Sequence, residues 1–210
     1  ISACLPMHTF GHPAQVEEIE RICALFNINL VEDAAESLGS LYKRKHTGSF
    51  GKVSAISFNG NKIITSGGGG MILTNDEELA HKAKHITTTA KIPSPLSFDH
   101  DQVGYNYRLP NLNAALGVAQ MESLPDYLKS KRDIAIKYQN WGADNGMMFV
   151  SECLDCTSNY WLNCVVTENE KNRDLMLKVT NESNIMTRPI WKPMHKLSMY
   201  QNCQKTELSN

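Results

Sequence analysis

The stretch AISFNGNKIITSGGGGMILTND, Ala55 to Asp76, sets one lysine, Lys62, between a short apolar run and four consecutive glycines. Read outward, KVSAISFN (52–59) is a strand that runs into Lys62, and GGMILTN (69–75) is a second strand. DEELAHKAKHI (76–86) follows as a helix, with Asp76 as its N-cap and acids in its first turn. Upstream, INLVEDAA (28–35) is a strand ending in acidic residues. Before it, AQVEEIERICALF places Val16, Ile19, Cys23 and Phe26 on one helical face, after Pro13. Strands alternating with helices predict an α/β fold with a mostly parallel sheet, in which ligands sit outside the carboxyl ends of the strands.

Downstream, the pattern fades between Lys91 and Tyr107 into a polar loop with Pro93 and Pro95. A long helix is expected from about Leu112 to Tyr138, broken near Pro125, with Leu116, Ala119 and Leu124 on its apolar side. SNYWLNCVVT (158–167) reads as a strand, KNRDLMLKVTNES (171–183) as a helix, and NIMTRPIWKPMH (184–195) as a strand entering a proline-rich turn. This organisation predicts a larger domain over 1–125 and part of a smaller α+β domain over 126–210.

The chain has 210 residues, 41% of them hydrophobic, enough for one sizeable core. Its 21 basic and 22 acidic residues are well mixed and leave a formal charge of −1, which shows no footprint for nucleic acid or an anionic membrane. No apolar stretch approaches a membrane span. Six scattered cysteines fit a reducing cytosol rather than a disulfide framework. Cys153 and Cys156 form a C-x-x-C, but no second half of a zinc site follows it at ligand spacing, so no metal is expected.

Taken alone, a lysine is a solvated surface charge. Its setting gives Lys62 a different meaning. A Walker A loop puts its glycines before the lysine, whereas here they come after it, so phosphate cradling of that kind is excluded. A lysine amine in a partly desolvated site can instead bond an aldehyde as a Schiff base, the way pyridoxal phosphate is held. That cofactor needs a carboxylate at its pyridine nitrogen. Asp33, at a strand end about 30 residues before Lys62, can supply it across a parallel sheet, although VEDAAES also reads as an acidic helix cap.

The motifs VEDAAES, SFNGNK, GGMILTND, GYNYRLPNLNAALGVAQME and TRPIWKPMH, in this order, resemble the sugar-nucleotide aminotransferases of the DegT type, pyridoxal-phosphate enzymes of fold type I. The similarity runs from LPMHTFGHPA to RPIWKPMH, nearly the whole chain. It implies that Lys62 is the Schiff-base lysine and the general acid/base of proton transfer. It further implies that Asp33 pairs with the pyridine nitrogen, Ala35 lies against the ring, Glu36 reaches the ring hydroxyl, and Ser57 binds the cofactor phosphate. Asn106, in GYNYR, would contact that phosphate from the neighbouring subunit of a homodimer with shared active sites. Arg188 and His195 are candidates for the sugar-nucleotide pocket. The implied partners are a nucleotide-linked keto-sugar and L-glutamate as amino donor.

Many members carry Gln where Glu36 stands and His or Tyr where Asn59 stands; FNGNKIITSGGGG is most similar to the branch acting on UDP-linked 4-keto-6-deoxy-N-acetylhexosamines. The family's dehydratase branch has histidine at the lysine position, so Lys62 argues against it. A regulatory homologue that kept the fold and lost the reaction is the alternative, and an intact Lys62 with Asp33 weighs against that as well. Family members are considerably longer, and the chain opens with Ile1, so a fragment lacking its N-terminal part of the large domain is expected.

Overall fold

The computed structural model describes residues 1–206. The first strand, β1 (Ala3–Cys4), leads through a single 3-10 turn at Thr9–Gly11 to helix α1 (Val16–Leu25). Val16 and Cys23 on α1 are buried and pack with Leu30, Ile19 and Ile28 in one of two core clusters, as their 3.6-residue spacing predicts. Phe26 departs from that expectation. It sits at the C-cap, outside helical geometry, and is 67% exposed because the apolar stripe ends one turn before it.

Strand β2 (Asn29–Asp33) follows, then the short antiparallel pair β3 (Leu41–Tyr42) and β4 (Lys45–His46), then β5 (Val53–Ser57) and β6 (Gly70–Leu73). The main sheet has the order β1-β2-β5-β6, with β1 and β5 both parallel to β2. β6 runs antiparallel to β5, so the sheet is mostly parallel, as expected. The reason lies in the connection. No helix separates the two strands in 58–69, and a parallel return needs a crossover.

Asp76 caps α2 (Glu77–Thr87) as expected, its carboxylate accepting the Leu79 N–H at 3.0 Å. The long helix is two: α3 (Asn111–Glu122) ends at Ser123, and α4 (Leu124–Asp144) restarts with Pro125 in its first turn, where a missing N–H costs nothing. Short strands β7 (Met148–Phe149), β8 (Cys156–Thr157) and β9 (Val165–Val166) follow, and β8 pairs antiparallel with β3. Helix α5 (Glu170–Glu182) is capped by Asn169.

Of two expected strands, one is cut to two residues and the other is absent among the described residues. Of 158–167 only Val165–Val166 is extended pairing, because Ser158 to Trp161 bury themselves by side-chain bonding to distant loops instead of a ladder. Residues 184–193 are irregular, and Pro189 and Pro193 each lack the N–H a strand would donate.

The chain divides into two compact units, Ile1–Val165 and Val166–Asn210. The sequence boundary at 125/126 thus lies inside the first unit, at the head of α4. Leu124 there packs against the second core cluster, Ala34, Ile56, Phe58 and Ile64, which sits directly under the loop carrying Lys62. Burying the larger of these, Ile56, Phe58 and Ile64, contributes about 1.5–3 kcal/mol each.

Candidate active site

β2 and β5 run parallel with Asp33 opposite Ala55, so both strands open at one edge, where Asp33 ends β2 and Ser57 ends β5. Asp33 is pinned from both sides. Its N–H donates to the Pro6 carbonyl at 3.0 Å, its carbonyl accepts the His8 N–H at 3.1 Å, and its Oδ1 accepts the Ala35 N–H at 3.1 Å. The last bond turns the chain away from the sheet and leaves the carboxylate at the strand mouth. Ser57 Oγ accepts the Asn59 N–H at 3.3 Å, beginning the turn toward Lys62.

Lys62 rides on a closed loop. The Phe58 carbonyl accepts both the Ser66 N–H at 3.1 Å and the Thr65 hydroxyl at 3.0 Å, and α3 pins the far side, with Asn113 donating to the Ser66 carbonyl and Gln120 Oε1 accepting the Thr65 N–H. Gly67, Gly68 and Gly69 then all take positive φ (82°, 159° and 82°), a sequence of angles that residues with a β-carbon rarely sustain. The glycine run therefore turns the chain from this loop into β6.

The Lys62 amine does not extend into solvent. Nζ lies 3.8 Å from Glu36 Oε1 and 4.0 Å from the centroid of the Trp161 ring, and the side chain is only 13% exposed. Glu36, 8% exposed, also accepts the Phe10 N–H at 2.7 Å through Oε2. Phe10 is left-handed (φ 56°, ψ 20°), a conformation that costs energy in a non-glycine residue and clusters at functional sites.

Beneath this edge lies a second buried polar group. The Glu32 carboxylate accepts N–H bonds from Gly48 (2.8 Å), Phe50 (2.7 Å) and Gly51 (2.7 Å), and it lies 3.0 Å from His8 Nε2. Because His8 Nδ1 accepts the Ala14 N–H at 3.1 Å, the ring proton belongs on Nε2, which donates to Glu32. Burial alone pushes the Glu32 carboxyl up; the His8 and backbone donors outweigh it and hold it below its usual range. Glu32 is thus a buried carboxylate fully served by hydrogen bonds, bracing the loop at 48–51 against the strand that ends in Asp33.

The residues that sequence reasoning missed are Ser158, Asn159 and Trp161. Ser158 Oγ donates to the Gly11 carbonyl at 3.0 Å, and Asn159 Nδ2 donates to the carbonyls of Glu36 (2.8 Å) and Leu38 (2.9 Å). Trp161 Nε1 donates to the Asn61 carbonyl at 2.6 Å. Helix α4 holds this strap from behind: Lys131 Nζ donates to the Trp161 carbonyl at 3.1 Å, and Arg132 forks onto Glu152 while also donating to the Ser158 carbonyl at 3.1 Å. The one signal in the sequence is a dense S-N-Y-W, whose polar and aromatic groups need partners when buried.

Of the expected site residues, Asp33, Ala35, Glu36, Ser57 and Lys62 share the carboxyl edge of the sheet. Asn106 is exposed on the loop after α2, where it bridges Thr88. Arg188 and His195 belong to the second unit. Arg188 is exposed and donates to Asn181 Oδ1 at 2.9 Å and to the Thr187 carbonyl at 2.8 Å. His195 lines a cavity of about 370 Å³ with Tyr200 and Cys203. Among the described residues, no three His, Cys, Asp or Glu side chains form a group that could hold a metal ion, and no helix is long and apolar enough to cross a membrane.

The sequence pattern of the DegT/DnrJ/EryC1/StrS aminotransferase family matches residues 1–210. The chain is 38% identical over 199 residues to the "Putative pyridoxal phosphate-dependent aminotransferase EpsN" of Bacillus subtilis strain 168, covering 94% of this chain and 51% of that protein. It is 36% identical to the GDP-perosamine synthase of Escherichia coli O157:H7, covering 94% and 54%. Its fold superposes on Helicobacter pylori PseC, an aminotransferase involved in pseudoaminic acid biosynthesis, with a TM-score of 0.92, at 24% identity and covering 99% of this chain and 57% of that one. The chain spans about half the length of the curated relatives it matches.

Proposed function

Because the chain belongs to the DegT/DnrJ/EryC1/StrS aminotransferase family, we propose that it forms part of a pyridoxal-phosphate enzyme that moves an amino group from glutamate to a nucleotide-linked keto-sugar. The observation that carries this reading is the enclosed Lys62 amine, held beside Glu36 and Trp161 at the sheet edge where Asp33 and Ser57 emerge.

The donor set fits the cofactor. It combines one amine for an aldehyde, one carboxylate for a ring nitrogen and one hydroxyl for a phosphate, with the small Ala35 leaving room for a flat ring. When bound, the cofactor supplies an aldehyde for Lys62 to bond and a ring that takes up the electron pair left on the donor's carbon. Asp33 would hold the proton on the ring nitrogen, and its pinned backbone fixes where that carboxylate points. Ser57 would bind the phosphate and Glu36 the ring hydroxyl. Lys62, once free, would carry the proton between the amino-bearing carbon and the cofactor through Nζ. Arg188 and His195 would line the sugar-nucleotide pocket, and Asn106 would reach the phosphate of a partner's site. An exposed Asn106 and the broadly exposed apolar side chains of the adjoining loop and α3, such as Phe98, Val103 and Leu112, support a second subunit covering this region.

Reduction of the cofactor-loaded full-length protein with borohydride, followed by peptide mapping, tests the assignment. Pyridoxyl on Lys62 is expected; fixation on Lys45 or Lys52 instead would overturn it. A panel of GDP- and UDP-linked 4-keto sugars with glutamate then identifies the acceptor, and inactivity on every keto-sugar nucleotide would refute the substrate class.

A further inference from the structure

We infer that Trp161 is a positioning residue for Lys62: its indole face and the Glu36 carboxylate form a holster that keeps the free amine inside the site. The inference rests on the proposed role of Lys62, and it adds a residue from a different part of the chain.

Three observations carry it. Nζ stands 4.0 Å from the ring centroid, well within the range at which a cation is attracted to an indole face. Trp161 is itself immobilised. Its Nε1 donates to Asn61, the residue beside Lys62, its N–H donates to Asn159 Oδ1 at 2.8 Å, and its carbonyl accepts from Lys131. Finally, Asn159 bonds the backbone of Glu36, so one four-residue strap fixes both walls of the holster. A lysine has four flexible carbons, and a freed amine would otherwise sample many positions. Ring and carboxylate restrict it to the neighbourhood of the bond it must re-form.

The test separates this from the role of Lys62. In the cofactor-free full-length protein, acetic anhydride labelling of Lys62 is measured against Lys52 in the same digest. Trp161→Leu is expected to raise relative labelling of Lys62 by about fivefold or more, whereas Trp161→Phe, which keeps an aromatic face, stays within about twofold of the parent. Loaded with cofactor, Trp161→Leu should fix pyridoxyl on Lys62 with borohydride but lose about tenfold or more in kcat, with KM for the sugar nucleotide unchanged. Trp161→Phe should recover most of that loss. If Trp161→Leu does not fold, Trp161→Met, whose flexible thioether fills the space without a π-face, is measured in its place. Unchanged labelling in the non-aromatic variant, or a change confined to KM, would overturn the inference. Failure of the parent to fix pyridoxyl on Lys62 would instead refute the reading of the lysine.

Discussion

Asn159 Nδ2 donates to the carbonyl of Glu36 at 2.8 Å, joining residues 123 positions apart. The same side chain bonds Leu38 through Nδ2 and the Trp161 N–H through Oδ1, so its three bonds hold the acidic turn and the strap together. Asn159→Ala leaves the buried Glu36 carbonyl, the partly buried Leu38 carbonyl and the buried Trp161 N–H without these partners. We expect it to lower stability by at least about 2 kcal/mol in urea unfolding, more than a surface Asn→Ala would. A loss under about 0.5 kcal/mol would mean that the strap's other bonds, from Ser158, Trp161, Lys131 and Arg132, hold it without the asparagine side chain.

Gly11 is the other half of this joint. A β-carbon there would stand 1.7 Å from Asn159 Oδ1, and the backbone holds φ +89°, so neither the space nor the conformation admits a side chain. Gly11→Ala should cost about 1–3 kcal/mol from backbone strain alone and more from the displaced asparagine. Thermal unfolding checks this; an unchanged midpoint would show that the strap can move away freely.

Glu32 makes the fold sensitive to acid. Its carboxyl is held below the usual range, so the unfolded state takes up a proton at higher pH than the folded state does. Its contribution is complete above the unfolded value of about 4.5 and is lost as the pH falls through the folded value. Glu32→Gln should be less stable than the parent at neutral pH, since an amide cannot accept all four donors, and should show a shallower fall in stability between about pH 5 and 3. Parallel acid profiles in the two proteins would assign the acid sensitivity to another carboxylate.

What was legible in the sequence was local. Val16, Ile19 and Cys23 announced α1 by their spacing, Asp76 announced α2 by its cap, and Asp33 and Ser57 ended apolar runs that pair in register. The order of motifs around Lys62 pointed to the family. The Ser158–Trp161 strap was not legible, because its partners Gly11, Glu36, Leu38 and Asn61 are far away in the chain and no periodicity encodes them. The antiparallel β6 was equally hidden: only the missing helix between Ser57 and Gly70 signals it.

Asp33 and Lys62 should fail in different ways. Lys62→Ala removes the amine but little of the core beneath it, so the variant should fold, bind cofactor without a borohydride-fixable bond, and not transaminate. Asp33→Asn keeps the turn to Ala35, since an amide oxygen also accepts that N–H, but no longer holds a proton on the ring nitrogen. Stopped-flow measurement of the half-reaction with glutamate should show it slowed by about two orders of magnitude or more with cofactor still bound. Near-normal rates would make Asp33 a structural turn residue only.

The proposed shared site makes a sharper demand, because it places Lys62 and Asn106 of one site on different subunits. Full-length chains carrying Lys62→Ala and chains carrying Asn106→Ala should each be inactive or nearly so. In a mixed dimer, one site then contains both defects and the other contains neither, since the intact Lys62 of one chain meets the intact Asn106 of its partner. Co-refolding the two variants should therefore restore activity, approaching one good site per mixed dimer. Half of a random mixture is mixed dimers, so the recovered rate should be about a quarter of the parent's at equal total protein. If tagged heterodimers are isolated and remain inactive, Asn106 serves its own chain and the two sites are not shared.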